Sequence, residues 1–598
     1  MDWKTWLAVG LSIVGLVLWQ VFYSSKVSEQ QRQVEAQRQE QAIAQAAEGE
    51  KKAATEVSRE DVVSAAAPKA PPALEASDTF GGTFFEPDVE LVKRKEVLKN
   101  DYAEFVFQND SGGIQVVNLL RHLAEGDEKV SLNKGSLMPI GALGMENERV
   151  LGGFKMKVDG ARQRVIFERM DSDGMRISKV FQLATGEDGK VEGRQYVVEL
   201  QVVFENTSAA PLQRLGYFIA TGMGAPVHRD DQPRYTRFDW YREGKMKSID
   251  PNWFSASRIP ILGIETRGDR PLYAEASEAT FWAAATSQYF ATIVRSAESN
   301  SQGVWARRYQ VRGDPGHPVY AIFGGILRGG FSVAPGEKHV ENFEIFTGPK
   351  NLEMLRKLGH GEDSVMSFGM FGIVSEVLLW GMNRLHDLTG NYAAAIILLT
   401  LIIKSVLWPL QDRATQSMRR MSILSPKMTE LREKYKDNPQ KMNEELMKLY
   451  REYGVNPFGG CLPMLIQIPI FFGFYSMLGV AIQLRNASFL WIHDLSQPDT
   501  VGHLFGIPIN LLPLIMAATM LIQMMITPKT GDSMQQRMFY FMPVIFLLFC
   551  YNFASALALY WTTQNIFSIV QLYLTRNRPL PKLERKTPSK KGKRPKKK

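Results

Sequence analysis

Asn391-Tyr-Ala-Ala-Ala-Ile-Ile-Leu-Leu-Thr-Leu-Ile-Ile-Lys404-Ser-Val-Leu-Trp-Pro-Leu410 is the stretch around which the rest of the chain is arranged. Its 20 residues, at about 1.5 Å each, suffice to cross a hydrocarbon core of roughly 30 Å. One cation, Lys404, interrupts it about 9 Å from the Leu410 end, and Trp408 marks the interface. A charge within a span is costly and turns toward a protein interior or a watery cavity. Taken alone, Lys404 fits equally well a side chain snorkelling to the headgroups and a cation held in a hydrated cavity. Thr400 lies one turn deeper on the same face. The charged segment 411–456 then reads as a helical hairpin broken at Asp437-Asn-Pro439. Met418, Met421, Leu424 and Met428 on one arm, with Met442, Leu446 and Leu449 on the other, pair the arms and leave an Arg/Lys face to solvent or a partner.

The 598 residues leave room for more than one domain, and the 45% hydrophobic content is clustered at the N-terminus and after residue 390. The net charge of +9 is concentrated in the tail 576–598, where 12 Lys/Arg face one acid, Glu584. Cys461 and Cys550, the only two cysteines, form no disulfide framework and no metal-ligand spacing. Residues 1–24 form an apolar run without a small-x-small cleavage site, since Val21-Phe-Tyr-Ser-Ser-Lys26 is bulky there. An uncleaved transmembrane anchor is therefore favoured over a signal peptide. Residues 25–78, rich in Gln, Glu, Ala and Pro, read as a linker.

Residues 79–350 alternate polar and apolar, as in Tyr102-Ala-Glu-Phe-Val-Phe107 and Tyr196-Val-Val-Glu-Leu-Gln-Val-Val-Phe204. Turn signals such as Asn109-Asp-Ser-Gly-Gly113 separate these runs, which predicts a large antiparallel β-sandwich. His122, His228, His317 and His339 have no ligand spacing. No nucleophile elbow, HExxH or phosphate loop occurs, so neither catalytic residues nor cofactor nor metal is expected, and the chain is read as no enzyme. Residues 364–390 carry an amphipathic helix placed at the membrane interface.

Four further spans are predicted at 457–482, 507–526, 538–553 and 554–575. With the anchor and the span 391–410 they make six transmembrane helices in a polytopic α-helical membrane protein. The loop 483–506 contains Trp491-Ile-His-Asp-Leu495, fit for a headgroup-level cap. The hairpin holds ten Lys/Arg, whereas this loop holds only Arg485. Hairpin, tail and N-terminus are thereby cytoplasmic, and the β domain lies outside. The last span carries a polar stripe of Tyr560, Gln564, Ser568 and Gln571 beside Trp561 and Asn565. Such a stripe either bonds helices together or walls a wet groove. The basic tail is a positive-inside signal that could also bind anionic lipid or nucleic acid.

Several motifs resemble the YidC/Oxa/Alb membrane protein insertases. They are Ile403-Lys-Ser-Val-Leu-Trp-Pro-Leu410, Met421-Ser-Ile-Leu-Ser-Pro-Lys427, Asn456-Pro-Phe-Gly-Gly-Cys-Leu-Pro463, Gln467-Ile-Pro-Ile-Phe471, Met534-Gln-Gln536 and Phe541-Met-Pro-Val-Ile545. The anchor and outer β domain resemble the Gram-negative form, whose periplasmic domain is a β-supersandwich. The resemblance implies a five-helix insertase core over 391–575, with a hydrophilic groove open to cytoplasm and lipid. It implies insertion and folding of inner-membrane proteins, alone or beside the Sec translocon. Nascent membrane proteins, the bilayer and the ribosome, through tail and hairpin, are the implied partners. The family's groove charge is usually arginine and is Lys404 here. By the same matching Thr400, Ile468, Phe471, Phe549, Tyr560 and Trp561 line the groove, and Gln564 joins them from the polar stripe. Two other classes stay open on the residues alone: a transporter or channel using Lys404 as counter-charge, and a membrane-tethered carbohydrate-binding protein.

Overall fold

The computed structural model describes residues 93–124, 128–145, 149–184, 191–228, 231–258, 265–276, 279–297, 301–312, 318–455, 462–527 and 533–577. The expected anchor 1–24, the linker 25–78, residues 456–461 and most of the tail lie outside them.

Inward rows of alternating residues build the β domain. In Met175–Leu183 the inward set is Met175, Ile177, Lys179, Phe181 and Leu183, the period of two that puts every second side chain on one face. This strand belongs to a nine-stranded antiparallel sheet. Its central order is Thr280–Thr286, Phe290–Ser296, Lys338–Pro349, Val197–Asn206, Met175–Leu183 and Arg164–Met170. A five-stranded sheet containing Leu212–Gly224 and a four-stranded sheet from Lys95–Lys99 to Lys129–Leu132 complete the sandwich. Phe105, Phe107, Phe154, Phe167 and Phe181 fill its core. Gly141 takes φ +72°, and a Cβ there would meet Phe181, Ile345 and Leu200 at 3.0–3.2 Å. Backbone conformation and space both require glycine at that turn.

Eight described helices follow: α1 (Leu352–Leu358), α2 (Gly372–Thr389), α3 (Tyr392–Lys434), α4 (Pro439–Tyr453), α5 (Leu462–Val480), α6 (Leu511–Ile526), α7 (Ser533–Cys550) and α8 (Ser555–Thr575). The Asn391 side chain caps α3 by accepting from the Ala394 N–H. That helix runs 43 residues without a break, through Pro409 and Pro426, so the expected span and the first hairpin arm are one element. The hairpin turns where expected, with Asn438 capping α4. Leu424, Met428 and Leu446 are buried between the arms.

Among the described residues α3 alone is long and apolar enough to cross a membrane. Ile466–Val480, Leu511–Ile526 and Tyr540–Cys550 are shorter apolar helices. The expectation of six full spans is thus reduced to a helical C-terminal region behind a β-sandwich domain. The expected span 507–526 also needs correction at its start. Ile507–Asn510 is a strand paired with Thr500–Leu504, and the helix begins at Leu511. The cause is local. Phe505 and Gly506 both take positive φ, +52° and +79°, which makes a two-residue hairpin turn, and Pro508 resists the helix.

Candidate functional site

Lys404 sits on the face of α3 that packs against α8. It is 6% exposed, and its Nζ donates to Ser568 Oγ at 3.3 Å. No carboxylate pairs with it among the described residues. Thr400, buried one turn deeper, returns its hydroxyl to the Ile396 carbonyl at 2.7 Å, leaving an oxygen lone pair free. Opposite, Gln467 Nε2 on α5 donates to Tyr560 Oη at 3.0 Å and to Gln564 Oε1 at 2.9 Å. Tyr560 stacks on Phe474 with centroids 4.0 Å apart. Thr400, Lys404, Gln467, Tyr560 and Gln564 share one cavity of about 10 Å³, room for roughly one water.

Four of the expected groove residues, Lys404, Thr400, Tyr560 and Gln564, therefore meet at one point. The other four do not reach it. Trp561 faces away and wedges between Phe471 and Phe546, with centroids 4.8 Å from each. Ile468 and Phe549 are exposed apolar side chains, 37% and 64% accessible. Phe471, Trp561 and Phe546 thus form an apolar cluster.

Sequence reasoning named Ser568 only as part of a stripe. Its bond to Lys404 joins residues 164 apart, and no local signal reports such a contact. Arg419 was also missed: its guanidinium donates to the Thr575 carbonyl at 2.7 Å. A cation there complements the C-terminal end of α8.

The C-terminal end of α5 and the N-terminal end of α6 are tied down. Asp499 Oδ2 accepts from the Leu512 N–H at 2.6 Å and from Trp491 Nε1 at 3.1 Å, holding a carboxylate at the N-terminus of α6. Gln288 of the β domain donates to the Gly479 carbonyl at 2.8 Å. Arg485 donates to the Leu123 carbonyl at 2.7 Å and lies over the rings of Tyr289 and Phe290. Burial, then the Arg485 charge, lowers the neighbouring His122 to about 4. The β domain is thereby pinned to the loop that follows α5.

Residues 384–582 match the family described as 60Kd inner membrane protein, and residues 147–381 match the YidC periplasmic domain. A membrane protein insertase YidC from Nitratidesulfovibrio vulgaris is 36% identical over 64% of this chain and 68% of its own. One from Pelobacter propionicus is 32% identical over 70% and 72%, and one from Syntrophobacter fumaroxidans 44% over 41% and 45%. The aligned part thus spans between 45% and 72% of these relatives' own lengths. A crystal structure of an active YidC insertase, with its first transmembrane domain resolved, aligns at 21% identity over 81% of this chain and 93% of that one, with a TM-score of 0.34.

Proposed function

The chain belongs to the family of YidC membrane protein insertases, which are not enzymes, and from that premise we propose that it inserts and helps fold inner-membrane proteins through the pocket at Lys404. The observation that carries this reading is one buried cation bonded to the Ser568 hydroxyl beside a small cavity that Thr400, Gln467, Tyr560 and Gln564 help to line, with no acid paired to it among the described residues. The polar pocket shortens the apolar distance that a substrate's hydrophilic end must cross. Lys404 offers that end a transient partner for its acidic residues. The substrate's apolar segment then moves along the flank formed by Ile468, Phe471, Phe549 and Trp561 into lipid, driven by its own burial. No cofactor enters this scheme.

In this reading six helices span the inner membrane, the β domain is periplasmic, and both termini are cytoplasmic. The Sec translocon works beside the core. The hairpin and basic tail meet the ribosome through contacts that weaken with salt.

Proteoliposomes carrying the purified chain should insert a short single-span substrate and show no solute flux. Flux without insertion would mark a channel or transporter instead. Cysteines placed at residues 440 and 590 should label only from the cytoplasmic side, and one at residue 200 only from the periplasm. External labelling at 440 would overturn the orientation.

A further inference from the structure

On the nine-stranded sheet of the β domain lies an open cleft of about 740 Å³, which shares no lining residue with the cavity at Lys404. Its floor is a row of side chains in register across five neighbouring strands: Arg164, Gln182, Glu199, Glu344 and Arg295. At roughly 4.8 Å per strand the row is about 19 Å long. A second row sets Gln201 beside Asn342, with Gln201 Nε2 donating to Asn342 Oδ1 at 3.1 Å. At the far end Phe281 stacks on His360.

The charges in the row are unequally committed. Arg194 bonds Glu199 at 2.9 Å and Glu344 at 3.0 Å, and Arg295 also bonds Glu344. Arg164 has no ion pair among the described residues, and its Nε is buried without a partner. Gln182 beside it makes no side-chain hydrogen bond among the described residues. An uncommitted guanidinium next to a free amide is a site for a carboxylate.

We propose that this cleft binds a short linear saccharide carrying a carboxylate, with the carboxylate on Arg164 and the sugar hydroxyls along the amide and carboxylate row. An extended peptide recognised by a sheet takes main-chain hydrogen bonds from a strand edge. This floor is the middle of the sheet, where strand pairing already uses the backbone groups. Only side chains face the ligand, and the row offers donors at both ends, Arg164 and Arg295, with the Gln182 amide and the Glu199 and Glu344 carboxylates between them. Vicinal hydroxyls, each both donor and acceptor, can bond to both kinds of group along such a mixed row. The Phe281–His360 pair offers an apolar platform for a ring face.

The test is calorimetric titration of the full chain in detergent micelles with tetragalacturonate, maltotetraose and tetraglutamate. Tetragalacturonate should bind saturably and about tenfold more tightly than maltotetraose, the worth of one charge-assisted contact. Arg164→Gln should remove that preference, and Gln182→Ala should weaken both sugars. Circular dichroism of each variant establishes that the domain is folded. The proposal falls if neither sugar binds saturably, or if folded Arg164→Gln keeps the tenfold preference. It also falls if tetraglutamate binds as tightly as tetragalacturonate, which would make the occupant a peptide.

Discussion

The molecule buries lysines in both of its regions, and the cages of Lys179 and Lys404 are opposites. Lys179, in the β domain, is fully buried. Its Nζ lies over the rings of Phe154, Phe167 and Phe181 at 4.8–5.9 Å. Among the described residues its polar contacts are carbonyls, those of Gly141 at 3.1 Å and Ser111 at 3.4 Å. Lys404 is almost as buried, but its Nζ bonds the Ser568 hydroxyl, and the cavity beside it places Thr400, Gln467, Tyr560 and Gln564 among the apolar Ile403, Leu407, Ile470 and Phe474. Ring faces and backbone carbonyls cannot reorient, so Lys179 has a fixed partner set inside a close-packed core. Hydroxyls and amides can rotate and exchange partners, so Lys404 can turn toward an incoming carboxylate. Burial alone therefore does not mark a functional cation; the chemistry of the cage does.

The largest effect is expected at Lys179. Burial lowers it to about 7 from 10.5. Between those values the unfolded chain holds a proton that the folded chain lacks, so stability rises with pH through the window and the penalty is whole below it. The carbonyls and ring faces offset part of this penalty. Lys179→Met should stabilise the β domain at pH 7 by on the order of 3 kcal/mol. The advantage over wild type should shrink as pH approaches 10.5. Lys350, also buried and lowered to about 7, titrates in both proteins and cancels from the difference. Thermal melts followed in the β-sheet signal across pH 7–10.5 measure it. An advantage independent of pH would mean that Lys179 titrates alike in the folded and unfolded chain, so that its cage imposes no penalty on the charge and the contrast with Lys404 is false.

At the boundary between the regions, His122 is lowered to about 4 from 6.5. Here the unfolded chain takes up a proton first, so stability is complete above about 6.5 and falls as pH drops toward 4. The loss should reach about 2 kcal/mol, discounted because the ring is partly exposed. His122→Gln should flatten the profile. Hydrogen exchange at Leu123 and Arg485 reports whether the loosening is local to this junction.

Lys404 comes next. Lys404→Arg should keep insertion, since a guanidinium holds its charge. Lys404→Leu should slow insertion of a substrate with an acidic translocated tail about fivefold, near 1 kcal/mol, and Lys404→Glu should slow it more. A substrate without tail acids should change less. Protease protection in vesicles at equal protein abundance measures this. Normal insertion of the acidic tail by Lys404→Glu would return Lys404 to the passive class of Lys179.

The smallest effect concerns the α8 end. Arg419→Gln removes a cation from the Thr575 carbonyl and should lower helical-region stability by less than about 1 kcal/mol. A larger loss in detergent melts would make this contact a main anchor of α8.

Much of this is legible in the sequence. Lys404 stands out because a cation within an apolar run is visible locally, and the strands are visible because alternation is local. Lys179 is legible too: Met175, Ile177, Phe181 and Leu183 put it on the inward row by parity alone. The split of the expected groove residues was not legible. Trp561 follows Tyr560 directly, yet one helix step turns it to the apolar cluster while Tyr560 enters the pocket. The strand at Ile507–Asn510 was hidden by its apolar composition, which reads as helix until the Phe505–Gly506 turn pairs it.

By itself the sequence determined the β-then-helical order of the chain, the hairpin break at Asn438 and the cation in the first core helix. Each follows from composition and periodicity over a few residues, where backbone sterics and water set the outcome. Only the tertiary structure decided that Ser568 holds Lys404, that Gln467 bridges Tyr560 and Gln564, and that three phenylalanines cage Lys179. Those contacts join separate elements. Helix rotation and strand register select them, and both are set by packing the whole core at once.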